Sequence, residues 1–147
     1  MNDPPPSNPE PPPEPPEPPP WPPPGTGRWL GATFGVAVAI LLVQLYPYDF
    51  AAGGSLYALQ HGGYLNVLGQ VALFVPLGLV ETQLVRRLLT GAGGVLVLLV
   101  TLDGVLLSLV CETVQFWLPA RTSSIVDLAA NTLGVVVGYK LALLMLR

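Results

Sequence analysis

Four long apolar runs alternate with short polar segments along this chain. The runs cover about residues 29–45, 64–84, 95–117 and 124–146. A helix that crosses the hydrocarbon core of a bilayer needs about 20 predominantly apolar residues, and each run is close to that length. Helices of a soluble bundle would each carry a charged outer face instead. The pattern therefore predicts an all-α fold, a polytopic membrane protein built as a four-helix transmembrane bundle.

The N-terminal segment differs from the rest of the chain. Its first 24 residues contain 15 prolines and no apolar run. Proline fixes φ and lacks an N–H donor, so such a segment is neither a helix nor a central strand. We expect residues 1–27 to be a disordered, proline-rich tail and residues 28–147 to form the transmembrane domain. The tail is interpreted as a solvated spacer, with a docking peptide for an SH3- or WW-like module as the alternative.

Composition supports a membrane protein and narrows its chemistry. Hydrophobic residues make up 51% of the chain and charged residues 10%, against about 25% charged residues in soluble domains. Cys111 is the single cysteine, so an intramolecular disulfide is excluded. His61 is the single histidine, and one histidine with one cysteine does not complete a metal set. We expect no metal, no cofactor and no nucleic-acid partner.

Basic residues set the predicted orientation. One side of the membrane receives five of the six, namely Arg28, Arg86, Arg87, Lys140 and Arg147, whereas Arg121 lies in a turn on the other side. Cytoplasmic segments of membrane proteins are enriched in Lys and Arg. Both termini are therefore expected in the cytoplasm, and the turn that carries Arg121 faces outward.

Residues 108–134 hold the densest set of polar side chains outside the tail. A carboxylate or other strongly polar group in a spanning helix costs about 2.5–3.5 kcal/mol, so such groups usually face the bundle interior and have a role. Two pairs fall on single helix faces, Glu112 with Gln115 and Asp127 with Asn131. Arg121 lies in the turn between them. This segment is where a functional site is predicted.

Helical spacing also groups residues of the second and fourth helices on single faces. Asn66, Gln70 and Glu81 share one side of the second run with Phe74 and Leu77. In the fourth run, Gly134 and Gly138 continue the stripe that begins at Asp127 and Asn131, and small residues allow helices to approach closely. Asp103 and Glu112 in the third run are about half a turn apart, so they should face different neighbours.

Several of these polar residues form patterns that resemble a known family. The second run contains Asn66, Phe74, Pro76, Leu77 and Gly78 in the order N-x7-F-x-PLG, similar to a signature of VanZ-like membrane proteins. The third and fourth runs match a second pattern, E-x2-Q followed by R-x5-D-x3-N-x2-G, through Glu112, Gln115, Arg121, Asp127, Asn131 and Gly134. The resemblance covers about residues 29–146 and excludes the tail.

The resemblance implies a multi-pass protein of the bacterial cytoplasmic (inner) membrane. Its family is named after a protein associated with low-level resistance to the glycopeptide teicoplanin, and no settled biochemical activity accompanies the fold. The expected function is a link to glycopeptide resistance or to cell-envelope modification through an outward-facing polar cluster. The candidate residues of this cluster are Glu112, Gln115, Arg121, Asp127, Asn131 and Asn66.

Two interpretations of the cluster stay open. In the first, Arg121 holds an anionic group, such as a lipid phosphate or a glycopeptide carboxylate, and Glu112 and Asp127 orient it. In the second, the same residues form one internal network that fixes helix packing, with Arg121 neutralising a carboxylate. The expected partners are the lipid bilayer and, in the first interpretation, an envelope lipid or glycopeptide ligand.

Two other classes of function are alternatives. One is a small proton-coupled transporter that uses Asp103, Glu112 and Asp127 as a relay, for which a homo-oligomer would supply the second half. The other is a non-catalytic accessory subunit of an envelope complex, with the tail as its cytoplasmic handle. The chain offers no serine–histidine–acid set and no Gly-rich phosphate loop after a strand, which weighs against an enzyme.

Overall fold

The structure, a computed structural model, describes residues 17–46, 48, 50, 64–89, 93–118 and 124–146. Its elements are α1 (Thr26–Leu45), α2 (Tyr64–Leu88), α3 (Gly93–Gln115) and α4 (Ile125–Leu144). The described ranges contain no strand. All four helices are long and apolar enough to cross a membrane. The prediction of an all-α bundle with four spanning helices is confirmed.

Large apolar side chains cover the outside of the bundle. Phe34 on α1, Leu68 on α2, Leu98 on α3 and Leu133 on α4 are all more than half exposed. Such a surface is unfavourable in water because apolar area that stays hydrated contributes nothing to folding. It suits the hydrocarbon of a bilayer, so the chain is a multi-pass membrane protein.

Helix α2 is the central element of the bundle. It contacts each of the other three helices, whereas α1 and α4 do not contact one another through their described residues. Phe74 and Leu77 of α2 are buried in the core. They pack there with residues of the other helices, including Ile40, Val100 and Val135. Of the residues that share one side of the second run, Gln70, Phe74, Leu77 and Glu81 are buried, whereas Asn66 is exposed.

Helices α2 and α4 meet at backbone distance. A Cβ placed on Gly78 would lie 2.1 Å from the carbonyl oxygen of Val135, and one on Gly138 would lie 2.1 Å from that of Val75. At Gly134 the corresponding distance, to the carbonyl oxygen of Val71, is 2.3 Å. These separations leave no room for a side chain, so the predicted stripe of small residues is the α2–α4 interface.

The start of α1 is tied to the end of α2. Gly25 precedes α1 with φ of 82°, a left-handed conformation that glycine adopts without steric cost. Arg87 donates from Nη1 to the carbonyl oxygen of Pro24 across 3.1 Å. Since α1 begins at Thr26, the last two residues of the predicted tail are helical. Residues 1–16, which hold nine of the tail's 15 prolines, lie outside the described residues.

The helices run alternately up and down, so their termini gather at two ends. We call one the polar end, where Gln44, Gln70, Gln115 and Ser124 lie at or near the end of their helices. The other, which we call the tail end, holds Pro24 and Arg87. At each end, polar residues that are far apart in the sequence lie close together.

Candidate functional site

Three buried glutamines join α1, α2 and α3 at the polar end. Gln115 donates from Nε2 to the backbone carbonyl oxygen of Gln44 across 3.0 Å and to its Oε1 across 3.1 Å. Gln44 in turn donates from its own Nε2 to Oε1 of Gln70. An amide buried without partners costs several kcal/mol in a medium that cannot hydrogen-bond. The three amides therefore satisfy each other and hold three helices in one register.

Of these three glutamines, the sequence predicted Gln115 as a site residue and placed Gln70 on the side of α2 that also carries Phe74 and Leu77. Gln44 was missed. The missed residue had a signal of its own. From Phe34 to Leu45, Gln44 is the single polar side chain, in the apolar stretch that ends α1. A lone carboxamide in a spanning helix points to a partner on a neighbouring helix.

Glu112 organises the start of α4. One of its carboxylate oxygens, Oε2, accepts a hydrogen bond from the backbone N–H of Ser124 across 2.8 Å. Ser124 is the N-cap of α4, and its own Oγ accepts from the N–H of Val126 across 3.1 Å. The first N–H groups of a helix have no partner within the helix, and a carboxylate is favoured beside them. Glu112 thus links α3 to the first turn of α4.

Asn66 and Asp127 form an exposed contact between α2 and α4. Nδ2 of Asn66 lies 3.4 Å from Oδ1 of Asp127, which is long for a hydrogen bond. Asn66 is exposed and Asp127 is half-buried. Of the six predicted site residues, this pair is the most accessible that the structure describes.

Asn131 lies one turn deeper and has a separate partner. It is fully buried, and its Nδ2 donates to Oγ of Ser108 across 2.8 Å. Its Oδ1 has no hydrogen-bond partner among the described residues. The hydrogen bond joins α3 to α4 below the polar end, so Asn131 belongs with helix packing.

The members of the predicted cluster therefore have different hydrogen-bond partners. Gln115 belongs to the glutamine network, Glu112 to the α4 cap, Asn131 to a bond with Ser108, and Asn66 lies beside Asp127. Arg121, the sixth predicted residue, lies outside the described residues. Asp103 and Glu112 face different neighbours, as their spacing predicted, since Asp103 lies beside Glu81 towards the tail end.

A cavity of about 300 Å³ opens between α1 and α2 at the polar end. Its polar lining consists of Gln44, Asn66 and Gln70, and its apolar lining includes Val43 and Leu65. Carboxamides both donate and accept hydrogen bonds, so this lining matches neutral polar groups such as hydroxyls and amides. The described residues contain no group of three His, Cys, Asp or Glu side chains that could hold a metal ion.

The chain was also compared with known proteins. A family model described as VanZ/LLP1 matches residues 34–146, which include all four helices except the first turns of α1. No curated protein and no solved structure matches the chain.

Proposed function

The chain belongs to the VanZ/LLP1 family, and from that membership we propose that its polar end binds an envelope lipid or glycopeptide at the outer face of the bacterial cytoplasmic membrane. The observation that carries the proposal is the amide-lined cavity between α1 and α2. Envelope glycolipids and glycopeptides present many hydroxyl and amide groups. Those are the groups that an uncharged donor and acceptor lining recognises.

The described contacts support a division of roles within the candidate cluster. Glu112 and Gln115 hold helix ends together through buried hydrogen bonds, so they act as the scaffold of the site. Asn66 is exposed and lines the cavity, so it is the proposed ligand contact, with Asp127 beside it. Arg121 falls between α3 and α4 in the sequence and would hold an anionic group of the ligand.

The orientation proposed here follows from charge. Arg28, Arg86, Arg87 and Lys140 lie towards the tail end, which the positive-inside rule assigns to the cytoplasm. The polar end then faces outward, where envelope lipids are modified and where glycopeptide antibiotics arrive. The proposed consequence of binding is a change in susceptibility to teicoplanin.

The proposal is tested by measuring susceptibility to teicoplanin and vancomycin in cells with and without the protein. We expect a teicoplanin-selective shift that Asn66→Leu and Arg121→Ala reduce at unchanged protein abundance. The matched control is Thr113→Val, an exposed position on α3 whose hydroxyl bonds only to its own helix among the described contacts. A shift that survives Asn66→Leu and Arg121→Ala would contradict the proposed site.

The transporter alternative receives no comparable support from the contacts. Asp103 lies beside Glu81 towards the tail end, whereas Glu112 and Asp127 lie near one another at the polar end. A relay requires successive groups within hydrogen-bond reach. Deleting the tail distinguishes the accessory-subunit alternative from the proposed binding site. An outward-facing site does not need a cytoplasmic segment, whereas an accessory subunit that uses the tail as its handle does.

A further inference from the structure

A second cavity lies at the tail end, away from the polar end. Its volume is about 610 Å³, twice that of the amide-lined cavity. It lies between the N-terminal half of α1, the C-terminal half of α2 and the first half of α3, with Trp21 of the proline-rich segment on its wall. Its acidic lining consists of Glu81 and Asp103.

Glu81, a buried acid on the wall of this cavity, is the residue that indicates a ligand site. The residue is only 3% exposed, and neither carboxylate oxygen has a hydrogen-bond partner among the described residues. Among the described residues that line the cavity, the other ionisable group is Asp103, also an acid, and none of those residues is basic. A buried carboxylate is strongly disfavoured unless it is paired or protonated, and a second acid pairs with it only through a shared proton. A cation between Glu81 and Asp103 would allow both groups to be ionised.

The rest of the lining defines what kind of partner would fit. Leu84, Val85 and Leu99 make the walls apolar, and the indole of Trp21 offers a face that attracts cations. The hydroxyl of Thr33 also lines the cavity, and its oxygen lacks a hydrogen-bond partner among the described residues. A hard metal ion prefers six or more oxygen ligands, which this mostly apolar cavity does not supply.

We propose that this cavity is a binding site for a primary organic ammonium with an apolar body. The ammonium group donates its three N–H bonds to the Glu81 and Asp103 carboxylates and to the Thr33 hydroxyl. The apolar body lies against the leucine and valine walls, beneath Trp21. Such a group occurs in free hydrophobic amines and in the ethanolamine headgroup of phospholipids, and the experiment has an arm for each source.

The first arm uses the full-length protein in nanodiscs of phosphatidylglycerol, titrated calorimetrically with phenethylammonium chloride. We expect saturable binding, and binding of the neutral analogue 2-phenylethanol should be about tenfold weaker or absent because it lacks the charge-assisted hydrogen bonds. Glu81→Gln and Asp103→Asn should each weaken phenethylammonium binding by about tenfold. The matched control, Asp127→Asn, removes a carboxylate at the polar end and should leave the affinity unchanged.

The second arm tests the lipid source in nanodiscs that contain both phosphatidylethanolamine and phosphatidylglycerol. Native mass spectrometry should show retained phosphatidylethanolamine, lost in Glu81→Gln, if the headgroup is the occupant. Binding of phenethylammonium without retention of that lipid would identify a free amine. If Glu81→Gln accumulates poorly, Asp103→Asn serves alone, because Asp103 is exposed and its loss leaves the core packing intact.

Two results would overturn the proposal. Equal affinity for phenethylammonium and 2-phenylethanol in both the native chain and Glu81→Gln would show an apolar cavity without charge recognition. Absence of phenethylammonium binding together with no retained phosphatidylethanolamine would show that no amine pairs with the two acids.

Discussion

At the scale of single residues, buried polar side chains hold different helices together. Gln115 reaches α1, Glu112 reaches the start of α4, and Asn131 reaches Ser108 on α3. In hydrocarbon these bonds are retained because water is absent as a competing partner, although each is modest in net energy. For these residues, the interpretation as helix-packing contacts gains support.

The contact between Glu112 and the Ser124 N–H makes a specific prediction about stability. Glu112→Ala removes the acceptor and leaves a buried N–H without a partner, which should lower the free energy of unfolding by about 1–3 kcal/mol. Glu112→Gln keeps an oxygen acceptor of nearly the same shape, so it should lower the free energy of unfolding by clearly less than Glu112→Ala does. Unfolding titrations with sodium dodecyl sulfate, followed by circular dichroism, measure both.

The pair of variants also separates scaffold from ligand contact. If Glu112 served mainly to bind a ligand through its charge, Glu112→Gln and Glu112→Ala would both have the stability of the native chain. Both variants would then abolish the teicoplanin phenotype. Equal stability of the two variants and the native chain would therefore contradict the capping role.

At the scale of helices, the α2–α4 interface depends on missing side chains. Gly78, Gly134 and Gly138 allow the two backbones to touch, and a Cβ at any of them would overlap a carbonyl oxygen of the other helix. Such close approach maximises van der Waals contact, which drives helix association where lipid competes for apolar surface.

Gly138→Ala should therefore destabilise the bundle by about 1–3 kcal/mol, because the added methyl forces α2 and α4 apart. The matched control is Gly35→Ala on α1, where a Cβ would meet nothing within 4 Å. Alanine has the higher helix propensity, so the control should be neutral or slightly stabilising. The same detergent titration compares the two, and equal effects would mean that the α2–α4 contact is looser than described.

At the scale of the whole molecule, charge and hydrogen bonding distinguish the two ends. The tail end carries Arg28, Arg86 and Arg87 together with the acidic cavity, and the polar end carries carboxamides, the Asp127 carboxylate and the α4 cap. A bundle with unlike ends has a preferred orientation because basic segments resist translocation.

The orientation is tested with topology reporters. A reporter fused after Arg147 should behave as cytoplasmic, and one inserted near Gly53 should behave as external, because five of the six basic residues fall on the side of the termini. Reversed behaviour at both positions would place the polar end in the cytoplasm and remove the basis for outward ligand binding.

Much of the fold could be predicted from the sequence because its signals are local. Twenty residues of apolar sequence specify a spanning helix whatever surrounds it, since a backbone in hydrocarbon must bond within its own segment. Periodicity then placed Phe74 and Leu77 on one side of the second run and Gly134 and Gly138 on one stripe of the fourth. The family patterns drew attention to Glu112 and Asn66.

Tertiary structure decided how those faces combine. The helical period shows which residues share a face of one helix, but not which faces of two helices pack together. The rotation of each helix about its axis and its depth in the membrane are set by packing against its neighbours. Thus Gln44 became a partner of Gln115, members of the predicted cluster acquired different hydrogen-bond partners, and Glu81 came to lie beside Asp103 on the wall of a cavity. A site made by four helices exists only after their backbones have docked, and that docking rests on contacts between residues far apart in the chain.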